Sequence, residues 1–171
     1  MSFFGEYSRF KDEIDLALIQ NGCVEIELYS IIASLIRESK NGCCLSVRDV
    51  SNRRKSDISK RFYGNAGFPD FVILNREKDQ NNITVYGCIE VKMPTIELNK
   101  EDEQIRGHKQ SFDIVLYTNG IRWILFDNGK TLFDITLGEI IKDNKRYRIK
   151  WYGQEKWEAL LERIDNIEWF K

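Results

Sequence analysis

The chain has 171 residues, with 26 Lys and Arg against 27 Asp and Glu for a formal net charge of −1. That length suits one domain with a sizeable core, and the charge balance excludes a global basic field, so any hold on nucleic acid must come from local patches. Four cysteines without a C-x-x-C spacing and a single histidine exclude a zinc set or a disulfide framework. No apolar run approaches a membrane span and no basic-then-apolar leader opens the chain, which makes a reducing cytoplasm the simple expectation.

In chain order, Phe10, Ile14, Leu16, Leu18 and Ile19 predict a short amphipathic helix within residues 1–20, broken by Asn21-Gly22. A second helix is predicted over about 24–39, with Leu28, Ile31, Ile32, Leu35 and Ile36 on one face. Glu25 lies at the rim of that face and Glu27 farther round. A rim glutamate is ordinarily solvated and gains interest only if another acid faces it. Asn41-Gly42 ends the helix, a strand is expected near 44–47, and the polar run 49–60 reads as a mobile loop or short helix.

Residues 71–74 (FVIL) read as a buried strand and 83–91 as a second, close enough to form a hairpin. A helix to about residue 112 follows, capped by Asn99 or Asp102. Strands are then expected at 114–117, 121–126 and 131–135, separated by the turn signals Thr118-Asn119-Gly120 and Asp127-Asn128-Gly129. A further strand is expected near 147–152. An amphipathic helix over 154–167 carries Trp157, Leu160, Leu161, Ile164 and Ile167 as a core or docking face. Trp123, Trp151, Trp157 and Trp169 read as core or interdomain packing, and Cys88 as packing from a strand. The pattern describes one α/β domain over 1–171, with its core at 24–135.

The chemistry concentrates between Gly67 and Pro94. On a strand, alternate residues face the same way, so Glu90 and Lys92 share a side. Asp70, at the mouth of the preceding strand, comes beside Glu90 if the hairpin pairs. Two carboxylates held close repel and are usually tolerated around a cation. Oxygen donors suit Mg²⁺, with Mn²⁺ as substitute, and the Val91 carbonyl is placed to add to the set. Lys92 beside such an ion would have a lowered pKa. It would orient or deprotonate a water, or stabilise charge on a phosphorane-like transition state. These parts match metal-assisted hydrolysis of a phosphodiester. Gln104 and His108, four apart on one helix face, can look toward the cleft and meet DNA phosphate or the lysine; His108 reads equally as a surface or cap histidine. Arg53, Arg54 and Lys55 belong to a basic run that alone would be a solvated face, but their place just before the site favours phosphate contact without base preference.

Gly67-Phe68-Pro69-Asp70 with Glu90-Val91-Lys92 resembles the PD-(D/E)XK nuclease superfamily. The resemblance implies a restriction-endonuclease-like mixed central sheet flanked by helices, in the order helix, three strands, helix, strand, as predicted over 24–118. Glu103-Gln104-Ile105 with His108 resembles the Q-x-x-x-Y helix of type I restriction nuclease domains, departing where His108 stands for tyrosine. Residues 116–123 resemble the "TNG-x-x-W" strand pair of those proteins and of single-chain restriction–modification enzymes. The resemblance implies a Mg²⁺-dependent DNA endonuclease of a restriction system, hence phage defence, leaving a 5′-phosphate and a 3′-hydroxyl. Asp70 and Glu90 would hold the metal, Lys92 would assist the water, and Gln104 would position substrate or Lys92. A glutamate from the first core helix would join them, with Glu25 matching best and Glu27 as the alternative. It further implies a nuclease module of a larger enzyme, with fused translocase or methyltransferase and specificity domains, a small free-standing nuclease being the alternative, and two nuclease copies pairing for double-strand cleavage. The rival readings are a non-catalytic module that binds nucleic acid or a partner, and a repair or recombination nuclease.

Overall fold

The computed structural model describes residues 6–20, 24–144 and 146–170. Six strands form one sheet in chain order: β1 (Ser46–Asp49), β2 (Phe71–Leu74), β3 (Val85–Val91), β4 (Ile114–Thr118), β5 (Arg122–Asp127) and β6 (Lys130–Thr136). Every neighbouring pair is antiparallel except β3 and β4, which run parallel. Two antiparallel meanders therefore meet at one parallel seam. A parallel pair needs a crossover, and α3 (Glu103–Ser111) lies in it. At the seam Gly87 pairs with Ile114, and a Cβ on Gly87 would collide with the Ile114 carbonyl oxygen.

The central strands are buried on both faces, which is why FVIL and IVLYT are continuous apolar runs rather than alternating ones. On one face α1 (Tyr7–Gln20), α2 (Tyr29–Glu38) and α4 (Gln154–Asp165) pack through Phe10, Ile32, Ile36, Trp157 and Leu160 onto Ile73, Ile89 and Leu116. On the other, Ile105 and Phe112 pack onto Val72, Cys88, Val115 and Tyr117. A small second sheet pairs β7 (Gly138–Asp143) with β8 (Arg146–Trp151). The order α2, β1, β2, β3, α3, β4 is the predicted helix, three strands, helix, strand. No helix among the described residues is long and apolar enough to cross a membrane.

Several expectations shift. The first helix buries Tyr7, Phe10, Ile14 and Leu18. Leu16 and Ile19 fall on its far side and are exposed. The predicted break at Asn21-Gly22, and Cys23, lie outside the described residues. The second helix does not start as an α-helix: Glu25–Leu28 is a 3₁₀ turn, and α2 begins at Tyr29. Val24 has no side-chain cap to offer there, and the Glu27 amide bonds back three residues to the Val24 carbonyl. β1 lies two residues later than expected. Strand β7 has no counterpart in the sequence reading, because GEIIKD sets two isoleucines side by side among charges and shows no alternation. The α4 stripe is core of this chain: Trp157, Leu160 and Ile164 are buried, as are Trp123 and Trp169.

Candidate active site

The β2–β3 register sets Phe71 opposite Ile89, which brings Asp70 level with Glu90. Both are buried, 7% and 2% exposed. Ile89 and Val91 point into the core on the α2 side, so Glu90 projects from the opposite face and Lys92 follows it there. The Lys92 Nζ donates to Glu90 Oε1 and to Gln104 Oε1, each at 2.7 Å. Gln104 stands in the first turn of α3, where the N-cap Asp102 accepts from its amide at 2.9 Å. The cap thus fixes the height at which the Gln104 amide meets the lysine.

Each carboxylate is braced from behind. Asp70 Oδ2 accepts from the Val91 amide at 2.7 Å, and Oδ1 accepts from the Tyr29 hydroxyl. Tyr29 is wedged edge-on against Phe71, and its hydroxyl lies 3.5 Å from Glu25 Oε1. Glu90 Oε2 lies 3.2 Å from His108 Nε2. Nδ1 of that ring has no hydrogen-bond partner among the described residues. A single proton on Nε2, donated to the carboxylate, leaves only a bare lone pair unmatched. Beyond Lys92 the chain is pinned by Asn119, whose Nδ2 donates to the Ile96 carbonyl at 2.9 Å. Its Oδ1 accepts from Ile121 and Arg122 amides at 3.1 and 2.8 Å.

Three acids surround one lysine. Burial, then the charge of Glu90, pushes the Asp70 carboxyl up to about 7 despite its two hydrogen bonds. Burial also raises Glu25, with Lys92 opposing and Glu90 adding to the shift. For Lys92, burial alone would lower the ammonium, but Glu90, Glu25 and Asp70 together raise it. In the metal-free site the three acids thus hold the Lys92 ammonium above its usual range; the lowering expected beside a bound ion concerns the loaded site.

The donor set fits a divalent cation of the Mg²⁺ type. Each oxygen of Asp70 and Glu90 accepts one hydrogen bond and retains acceptor capacity, and Asp70, raised by burial and then by the charge of Glu90, is a carboxylate that a cation would favour in its ionised form. Among the described residues no three His, Cys, Asp or Glu side chains converge into a ready-made metal cage.

The structure separates the remaining candidates. Glu25 joins the electrostatics of the site, whereas Glu27 lines a pocket with Leu16, Ala17 and Gln20 of α1. His108 is 0% exposed, so the expected phosphate contact is not available to it; it braces Glu90 instead. Arg53 and Arg54 are exposed and line an open pocket with Asp49 and Asn52. Their loop is anchored to the site, since the Val50 amide donates to the Asp70 carbonyl at 2.9 Å. Lys55 instead lies over the Tyr63 ring, 3.7 Å from its centroid. Tyr29 is the residue that sequence reasoning missed. Its signal was available: a phenol on an aliphatic stripe, four positions after Glu25.

No protein-family model matches the chain, and no curated protein matches it. Among solved structures, a chain of a cryo-electron microscopy structure of a DrdV–DNA complex matches with a TM-score of 0.57 and 14% identity. The match covers 94% of this chain and 14% of that one, so this chain spans a small part of the longer protein. At that identity the likeness establishes the fold, a mixed α/β, restriction-endonuclease-like architecture.

Proposed function

We propose that the chain is a metal-dependent DNA endonuclease, working as the nuclease module of a larger restriction enzyme. The observation that carries this is the Lys92 ammonium shared at 2.7 Å by Glu90 and Gln104, beside a buried Asp70 that it does not neutralise. A buried cluster with more acid than cation costs stability, and such costs concentrate where chemistry needs them.

Asp70 and Glu90 would hold Mg²⁺ or Mn²⁺, with the Val91 carbonyl and waters completing the set and Glu25 adding negative charge nearby. When bound, the ion supplies Lewis-acid stabilisation of phosphate charge and a more acidic water. Lys92 would donate from its ammonium to a phosphate oxygen and stabilise the negative charge that builds in the transition state, while the attacking water would lose its proton to bulk solvent. Gln104 aims Nζ. His108 braces Glu90, and Tyr29 with the Val91 amide braces Asp70. Arg53 and Arg54 meet phosphates without reading bases. The matched DrdV chain is described with DNA and is far longer than this one, which supports DNA as substrate and a module among fused domains. One such site cuts one strand, so double-strand cleavage would pair two copies.

The test is nicking of supercoiled plasmid in Mg²⁺ by the purified protein, with Asp70→Ala and Lys92→Ala expected to abolish it. Equal cutting by wild type and Lys92→Ala sinks the proposal. A panel of duplex, branched and single-stranded DNA separates the restriction reading from a junction-type repair nuclease.

A further inference from the structure

A second concentration of charge lies at the end of the sheet remote from Asp70. β1 is an edge strand, paired with β2 alone. Along it opens a cavity of about 460 Å³, walled by the end of α2, the turn at Gly42–Cys44, β1 and the connection after β2. Arg37, Arg48, Arg76 and Lys78 line it, with Glu77 as the acid in the lining. All four cations are exposed. Arg37 Nη2 donates to the Val47 carbonyl at 3.1 Å and Arg48 Nε to Ser46 Oγ at 2.9 Å. No salt bridge joins any of the four to an acid among the described residues.

The chemistry of the lining narrows the ligand. Four cations against one acid call for an anion of several charges. No aromatic side chain lines the cavity, so a base has no ring to stack on, and recognition would be of phosphate. The cations are also strung out rather than convergent. Arg48 stands in β1 between this cavity and the Arg53–Arg54 turn, whose base is tied to Asp70 through Val50. From Leu45 to Val50 the strand covers roughly 17 Å at its usual rise, the axial length of about five base pairs.

We infer that the β1 edge is a phosphate track, along which DNA leaving the cleavage site sets backbone phosphates about five base pairs away among Arg37, Arg48, Arg76 and Lys78. The inference rests on the proposed DNA-cleaving site for its ligand class and adds where the flanking duplex lies. Such contacts carry no sequence preference and depend steeply on salt.

The experiment measures binding of the full chain in chelator, so that it does not depend on cleavage. The variant is Arg76→Glu with Lys78→Glu, two exposed positions in a connecting segment. On a duplex of about 30 base pairs its affinity is expected to fall on the order of tenfold, with the salt slope smaller by about two. On a hairpin duplex with a stem of about 4 base pairs, too short to reach from the site to a track about five base pairs away, the deficit is expected to shrink to little or nothing. Cys43 lines the cavity and is exposed, whereas Cys88 is buried. Peptide-resolved alkylation should therefore find Cys43 protected by long DNA in wild type and unprotected in the variant. Unchanged affinity and salt slope in the variant overturn the track, as does a deficit equal on both duplexes. Stronger Cys43 protection by ATP or inorganic phosphate than by DNA also overturns it, in favour of a free-phosphate site. A wild type that binds no DNA at all sinks the proposed function as well, whereas one that binds normally beside an unaffected variant sinks the track alone.

Discussion

Two ionic clusters in this fold, each holding an aspartate with a lysine nearby, rest in opposite states. Around Asp134, Arg122 donates from Nε and Nη2 at 2.8 and 2.7 Å, and Lys100 lies at 2.7 Å. Two cations serve one acid in partial contact with solvent, and the hydrogen bonds from Arg122 lead in holding the Asp134 carboxyl down to about 2. Around Asp70 the ratio inverts: three acids share one lysine in a buried cleft, and the carboxyl is pushed up to about 7. The first cluster is complete as it stands. The second holds more acid than cation, which is the imbalance the proposed metal site would use.

The comparison breaks most severely at the lysine. Lys92→Ala should lower plasmid cleavage by about a thousandfold or more, the scale of losing a preorganised charge donor at a reacting phosphate. Asp134→Ala should leave cleavage within a factor of about two, the usual size for a charge remote from the chemistry.

Stability against pH sharpens the contrast, because the two shifts have opposite signs. Asp70 binds its proton more tightly in the native state, so the metal-free protein should lose stability as pH rises from about 4 through about 7. Asp70→Asn should accordingly stabilise the metal-free protein at pH 8 by on the order of 2 kcal/mol, a gain that fades as pH falls toward 4. Mg²⁺ should raise the Tm of wild type and not of the variant. A destabilised Asp70→Asn protein at pH 8 would falsify the idea that the cluster is short of cation.

Tyr29→Phe removes the hydroxyl that braces Asp70 while keeping the ring against Phe71. It should weaken the Mg²⁺ dependence of cleavage by about tenfold, as loss of a group orienting a ligand does, with little change in Tm. The smallest effect belongs to the satisfied cluster. Asp134→Asn should cost under about 1 kcal/mol at neutral pH, since the pair is partly solvated. The stabilisation it removes is present above the ordinary carboxylate range and lost as pH falls through about 2, so the two proteins should converge in acid denaturation.

The sheet was legible from short apolar and β-branched runs set between turn signals, and the acid–lysine geometry from the alternate facing of residues along a strand. Glu90 and Lys92 had to share a side once β3 was recognised. What escaped was depth. Helical spacing puts His108 on the face of Gln104 but cannot say that Gln104 sits at the cleft while His108 lies beneath Glu90, wholly buried. Tyr29 escaped because it approaches from another element, and only packing of α2 on β2 reveals that its hydroxyl meets Asp70. The 3₁₀ turn at Glu25 escaped because its spacing to Leu28 and Ile32 is nearly that of an α-helix.

The single parallel seam carries a consequence for how the protein is made. β4, β5 and β6 close through short hairpins, whereas β1 must reach β2 across residues 50–70 and β3 must find β4 across the whole α3 crossover. Non-local pairing is slow relative to hairpin closure. Glu90 and Lys92 lie on one side of that seam, and Gln104, which holds the lysine, lies in the crossover itself. On the proposed function, cutting power should therefore emerge only in the last kinetic phase of refolding, after most β-sheet signal has returned, so that a partly folded chain would not cut. Refolding followed in parallel by circular dichroism and by plasmid nicking would test this, and nicking that returns with the earliest sheet signal would overturn it.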